Sequence, residues 1–161
     1  MQGSAKVLTD YWISKGLQLT ASCAPATISE FERRYRIVVP PQLRAYYLSA
    51  NGMKQVFAHS ADPSGFSFWP LEQVIPVRDF VTTPKWPGFA GDEGFFVFAD
   101  YMQLSWAYAI RLTPNRMNRV ILIGKARPEL VAESFEQFVA AYVTDAKELY
   151  SGAPFDPVQG G

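Results

Sequence analysis

After Gly52 the chain breaks into short apolar and aromatic runs: VFA at 56–58, FSFWP at 66–70, FFVFAD at 95–100, WAYAIRL at 106–112 and RVILIG at 119–124. Each has the length of a strand and ends at turn-forming residues. The intervals between them are mostly too short for the crossover helix that parallel neighbours require. The runs therefore predict a largely antiparallel sheet and count against a doubly wound parallel fold. Between them, LEQVIPV from Leu71 holds a short helical turn, and TTPKWPGFAGDEG at 82–94, punctuated by proline and glycine, reads as a surface loop.

Helical periodicity flanks this region. Val7, Leu8, Tyr11 and Trp12 recur at helical spacing within 7–17, and Gly16 is placed to end that helix. Thr27 and Glu30 form a capping-box pattern that starts a second helix, with Ile28, Phe31 and Tyr35 on its inner face. Pro40 and Pro41 forbid continuation, yet proline suits the first turn of a new helix, where its missing N–H has no acceptor anyway. The third helix thus starts near Pro41, with Leu43, Tyr46, Tyr47 and Leu48 mainly inward and Gln42, Arg44 and Ser49 toward water. Asn51-Gly52 stops it, glycine entering the left-handed conformation of a C-cap at little steric cost. Ser134 and Gln137 repeat the capping box, and Phe135, Phe138, Val139, Tyr142 and Val143 give a closing helix that runs to about Tyr150. Helices first, strands grouped in the middle and a helix last make an α+β fold. One domain at 1–150 is expected, followed by an irregular tail at 151–161; no internal repeat is present. The spacing places Phe31, Leu43, Tyr47, Trp69, Phe96, Phe98, Phe135 and Phe138 in the core.

Hydrophobic residues make up 48% of the 161 and charged ones only 19%, which excludes disorder. Fifteen basic residues balance fifteen acidic ones, so there is no net positive field for nucleic acid or an anionic membrane. The single cysteine, Cys23, excludes an intramolecular disulfide and a cysteine zinc cage. Thr9, Asp10, Ser14 and Lys15 interrupt what would be the apolar core of an export signal, and no run approaches the roughly 20 residues of a membrane helix. A cytoplasmic protein without a cofactor is the expectation.

The segment ISEFERRYRIVVPPQLRAYYLSANG at 28–52 resembles the signature of the SMI1/KNR4 family of the SUKH superfamily, carried by Phe31-Glu32, Val39-Pro40, Leu43, Tyr46-Tyr47 and Asn51-Gly52. FSFWPLEQVIPV, FFVFAD and AESFEQFVAAYVTD continue the resemblance in order, across 27–145. Val39 stands where the family commonly has leucine, and Met102-Gln103 occupies a turn where glycines are usual. The resemblance implies a noncatalytic protein-binding domain. Many bacterial members are immunity proteins that neutralise toxins of neighbouring cells, and fungal relatives are regulatory adaptors with long disordered flanks, which this sequence lacks. A protein partner such as a cognate toxin domain is therefore expected, met by occlusion rather than by chemistry.

The side chains that could carry another function have ordinary readings beside the sharp ones. His59, with Ser60 and Asp62 close in sequence, has the residue types of a triad, but triad members must converge in space, and a polar loop is favoured. A Cys23–His59 dyad is favoured no more. Asp92, Glu93 and Asp100 match no cation-binding loop and read as solvated turn residues; the hypotheses competing with an immunity protein are a regulatory adaptor of the same fold and, less favoured, a small hydrolase built on His59 or on these acids. Arg33, Arg34 and Arg36 around Tyr35 read as a solvated helix end. Trp86 and Phe89 lie in a loop too rich in proline and glycine for a core strand, and Tyr101 ends FFVFAD; such groups fold down as a lid over the core, the favoured reading for Trp86 and Phe89, or anchor a partner when exposed. The expected recognition set, on loops and sheet edges, is His59, Trp86, Phe89, Asp92, Glu93 and Tyr101.

Overall fold

The computed structural model describes residues 3–53, 62–80 and 94–155. Three helices come first: α1 (Ser4–Ser14), α2 (Pro25–Tyr35) and α3 (Pro41–Ser49). Strand β1 (Phe66–Phe68), a 3-10 turn (Leu71–Gln73), β2 (Ile75–Pro76) and the one-turn helix α4 (Val77–Phe80) follow. Then come β3 (Phe95–Tyr101), β4 (Trp106–Arg111), β5 (Val120–Ile123), β6 (Glu129–Ala132), α5 (Phe135–Val143), a second 3-10 turn (Lys147–Leu149) and β7 (Ala153–Pro154). The fold is α+β, and among the described residues every strand pairing is antiparallel. The sheet runs β1-β3-β4-β5-β6-β7, with β2 also on β3. The run at 56–58 and most of the loop at 82–94 lie outside the described residues.

Each helix begins and ends for a local reason. α1 stops at Gly16, whose φ of 78° closes a Schellman turn in which Leu17 N donates to Trp12 O at 2.9 Å and Gly16 N to Ile13 O at 3.0 Å. α2 starts two residues before the predicted capping box: Pro25 occupies the first turn, and Thr27 lies inside the helix rather than capping it. α3 starts at Pro41 as expected, with Pro40 as its extended N-cap. Leu43, Tyr46 and Tyr47 are buried, but Leu48 is exposed, because the inward stripe of so short a helix does not reach it. At α5, Ser134 accepts from Gln137 N at 3.1 Å, while the Gln137 side chain reaches back to Glu133 N at 2.9 Å, one residue before the cap. α5 ends at Val143 and not near Tyr150, since Asp145 turns left-handed (φ 53°) and Ala146 N donates to Ala141 O. The tail predicted to be irregular contributes β7, paired with Glu129 and Leu130 of β6.

The sheet is apolar on both faces. Phe68, Phe96, Phe98, Tyr108, Ile110 and Leu122 join the main core with α1, α2, α3 and α5, where Trp12, Tyr46 and Phe138 are fully buried. Val97, Ala107, Ala109, Ile121 and Ile123 face the other way, in a second cluster with Trp69, Val77 and Phe95. All eight predicted core residues are buried. The outermost pairings, β2 and β7, are two residues long and each contains a proline, which has no N–H to offer a further strand.

Strand β3 carries a bulge between Val97 and Ala99, where β4 supplies the consecutive residues Ala109 and Tyr108. One extra residue, Phe98, reverses the alternation of everything after it. Ala99 joins the main core beside Phe96 and Phe98, and Asp100 turns to the side of Trp69.

Candidate protein-binding surface

The residues of the 28–52 signature build the scaffold. The Glu32 carboxylate accepts from Val39 N at 2.8 Å and from Arg44 Nη2 at 2.6 Å, so it clamps α2 to α3 across the Pro40–Pro41 step. Val39 is buried. Asn51 Oδ1 accepts from Leu71 N at 2.7 Å, and its amide nitrogen donates to Glu72 Oε2 at 2.8 Å, tying the end of α3 to the 3-10 turn. Gly52 has a φ of 78°, yet it lies beyond the helix cap, which is the extended Ala50. Its further role is clearance: a Cβ there would sit 2.6 Å from Pro70 N and 2.8 Å from Phe68 O. Neither group points at a reacting position.

Two of the acidic residues suspected of chemistry, Asp62 and Asp100, are committed to the fold as well. Asp62 is buried; Oδ1 accepts from Ser64 N at 2.8 Å and Phe66 N at 2.9 Å, and Oδ2 accepts from the Tyr142 hydroxyl. Tyr142 in turn accepts from Trp12 Nε1 at 3.0 Å, so a buried chain joins the turn before β1 to α5 and α1. Burial, then the hydrogen bond to Asp62, pushes the Tyr142 hydroxyl far above the ordinary tyrosine range. Asp100 is not the solvated turn residue the sequence suggests. It is buried, with Oδ2 accepting from Trp69 Nε1 at 2.7 Å and Oδ1 from Leu104 N at 3.2 Å, and burial raises its carboxyl above the usual carboxylate range. Cys23 is buried, and burial followed by the Glu72 charge raises its thiol, the opposite of an activated nucleophile. Among the described residues no group of three His, Cys, Asp or Glu side chains could hold a metal. Arg33, Arg34 and Arg36 are exposed at the end of α2, with Arg33 on Glu30 and Arg34 over the Tyr35 ring, as a solvated helix end should be.

An open groove of about 310 Å³ runs between α2 and β2, lined by Phe31, Leu71 and Val74 and by the charged Glu30, Arg34 and Glu72. It brings no base to a nucleophile, and Glu72 already accepts from Asn51.

The surface with interface character lies at the β3–β4 hairpin. Met102, Gln103 and Leu104 are all left-handed, at φ 49°, 56° and 66°, a run of non-glycine residues that costs roughly 1–2 kcal/mol each. The turn is held open by its neighbours: Met102 N donates to Gly65 O at 2.9 Å, Ser105 N to Tyr101 O at 3.0 Å, and Leu104 N to Asp100. At its base Tyr101 stacks on Trp106, centroids 4.7 Å apart, and meets Phe66 and Tyr150 edge-on or tilted. Lys125 Nζ lies 5.1 Å over the Trp106 ring. Met102 is 54% exposed, and Pro63, Ser64, Gln103 and Ser105 are exposed around it. From Pro63 to Gly65 and from Tyr101 to Trp106 there is no charged residue. Aromatic and methionine side chains without charge are the composition of an interface centre.

Of the six residues expected to recognise a partner, Tyr101 is placed here. It is half-buried and paired on both sides, to Phe66 and Trp106, so it is not at a sheet edge. His59, Trp86, Phe89, Asp92 and Glu93 lie outside the described residues. Sequence reasoning missed Met102, Gln103 and Leu104 as a surface. The available signal was the absence of glycine in a tight hairpin turn.

The model of the SMI1 / KNR4 family (SUKH-1) matches residues 22–141. The match covers the signature, the sheet as far as β6 and most of α5. No curated protein matches the chain.

Proposed function

Because the chain belongs to the SMI1/KNR4 family (SUKH-1), we propose that it works by binding another protein, as an immunity protein that neutralises a bacterial toxin in the cytoplasm. The family supports the noncatalytic protein-binding class. One observation carries the reading further: the signature residues and the described buried acids are engaged in holding the fold, while the β3–β4 tip, with no charged residue of its own, exposes Met102. The proposed contact set is Tyr101 with Met102 and Gln103, joined by His59, Trp86, Phe89, Asp92 and Glu93 on the grounds of their loop sequence.

The test is co-expression with any toxin domain found encoded next to this chain. Protection of the host and recovery of a complex at fixed stoichiometry support the proposal. Met102→Lys places a charge at the centre of the surface and is expected to weaken the complex by about 30-fold, as a central interface residue does. Trp86→Ala and Phe89→Ala test the second loop. Turnover of a substrate that is lost on His59→Ala would replace this reading by the hydrolase.

A further inference from the structure

We propose that the Asp100 carboxylate is a pH-sensitive latch on the β3–β4 tip: ionised, it holds the left-handed turn in shape, and on gaining a proton it releases the Leu104 amide. The proposal deepens the reading of this tip as the contact surface and rests on it.

The geometry gives Asp100 two anchors with different strengths. The Trp69 indole donates to Oδ2 at 2.7 Å, on the buried side, and the Leu104 amide donates to Oδ1 at 3.2 Å. An ionised carboxylate is acceptor-only, so both bonds form together. A proton on Oδ1 places a hydrogen where one had been accepted, facing the Leu104 N–H. The longer bond gives way, and the Trp69 bond stays. Leu104 is the third of three residues with unfavourable positive φ, so the tip has strain to release once it is let go.

Among the described residues, the groups that pair with or bond to Asp100 bring no charge to it, and α4, which also packs on β3, holds its Arg78 and Asp79 paired with each other. The cross-strand neighbours of Asp100 are Ser67 on β1 and Ala107 on β4, and its anchors are Trp69 and the Leu104 amide; none is charged or titrates in acid. No charged side chain lies in the tip itself. Burial favours the neutral form, so the latch opens at a higher pH than an ordinary aspartate, whose value is about 3.9, would titrate.

The experiment uses the full chain labelled with nitrogen-15, followed from pH 7.5 downward with no partner present. The Trp69 indole and Leu104 amide resonances are expected to titrate together with one midpoint above the ordinary aspartate value. Across it, exchange protection of the Leu104 amide falls on the order of tenfold while amides of α5 keep theirs. Asp100→Asn, which offers a donor where the carboxylate accepts, should show the acid form of the tip at pH 7.5. A Leu104 amide whose protection is indifferent to the Asp100 titration, a drop shared equally by α5, or a neutral-pH tip retained in Asp100→Asn would each overturn the latch. Because no partner is involved, such a failure is distinct from failure of the tip as a contact surface, which the Met102→Lys complex assay reads.

Discussion

Replacing Tyr142 by phenylalanine removes one oxygen atom and breaks a chain that joins three distant parts of the protein. The hydroxyl accepts from Trp12 Nε1 and donates to Asp62 Oδ2, and all three residues are buried. Tyr142→Phe therefore leaves a buried indole N–H without that acceptor and a buried carboxylate oxygen without that donor. Each orphaned group costs about 1–3 kcal/mol, the charged one toward the upper end. Asp62 keeps its two backbone donors, Ser64 and Phe66, which limits the loss. The expected destabilisation is about 3 kcal/mol, a large share of the roughly 5–15 kcal/mol that holds a domain together. Tyr47→Phe is the matched control. The Tyr47 hydroxyl is buried without a hydrogen-bond partner among the described residues, so its removal should be neutral or slightly stabilising. Urea unfolding followed by far-ultraviolet circular dichroism compares the two without relying on the fluorescence of Trp12. Equal effects of the two substitutions, or a Tyr142→Phe loss within about 0.5 kcal/mol of zero, would refute the argument that satisfaction of buried polar groups decides the outcome.

Three further outcomes follow from the same structure. Gly52→Ala combines a positive φ with a contact 2.6 Å from the Pro70 backbone, and should cost about 3 kcal/mol or more in thermal or urea unfolding; unchanged stability would mean the α3–β1 approach is looser than described. Gln103→Gly relieves left-handed strain at an exposed position, and after the entropy of glycine in the unfolded chain a gain of about 0.5–1 kcal/mol is expected, measured as a rise in melting temperature. Burial raises the hydroxyls of Tyr47, Tyr108 and Tyr142 well above 10, so above pH 10 the unfolded chain loses those protons while the folded one keeps them. Stability should then fall with rising pH, by up to about 1.4 kcal/mol per pH unit for each such tyrosine, and denaturation at pH 9 and pH 11 checks it.

Much of the local grammar of the described residues was legible in the sequence. Gly16 and Ser134 end and start helices as their chemistry requires, Pro41 opens α3, and the apolar runs at 66–70, 95–100, 106–112 and 119–124 each contain a strand. These rest on interactions within a few residues, which any tertiary setting must respect. The errors have the same origin in reverse. Thr27 lost its capping role because Pro25 claims the first turn, and β7 formed in a glycine- and proline-rich tail because β6 offered it an unpaired edge.

Of the candidate surface, sequence picked out Tyr101 but not the three residues after it, where a tight turn without glycine was the available signal of a left-handed backbone. What the sequence alone determined was where the long periodic helices and the four strongest apolar strands lie and which residues are apolar enough to fill the core. What only the tertiary structure decided was the extra residue at Phe98, which turned Asp100 toward Trp69 and left Tyr101 to stack on Trp106, and the link from Asp62 through Tyr142 to Trp12. Strand alternation has a period of two, so a single bulge reverses every side chain beyond it, and partners 80 and 130 positions apart are chosen by packing rather than by any pattern along the chain.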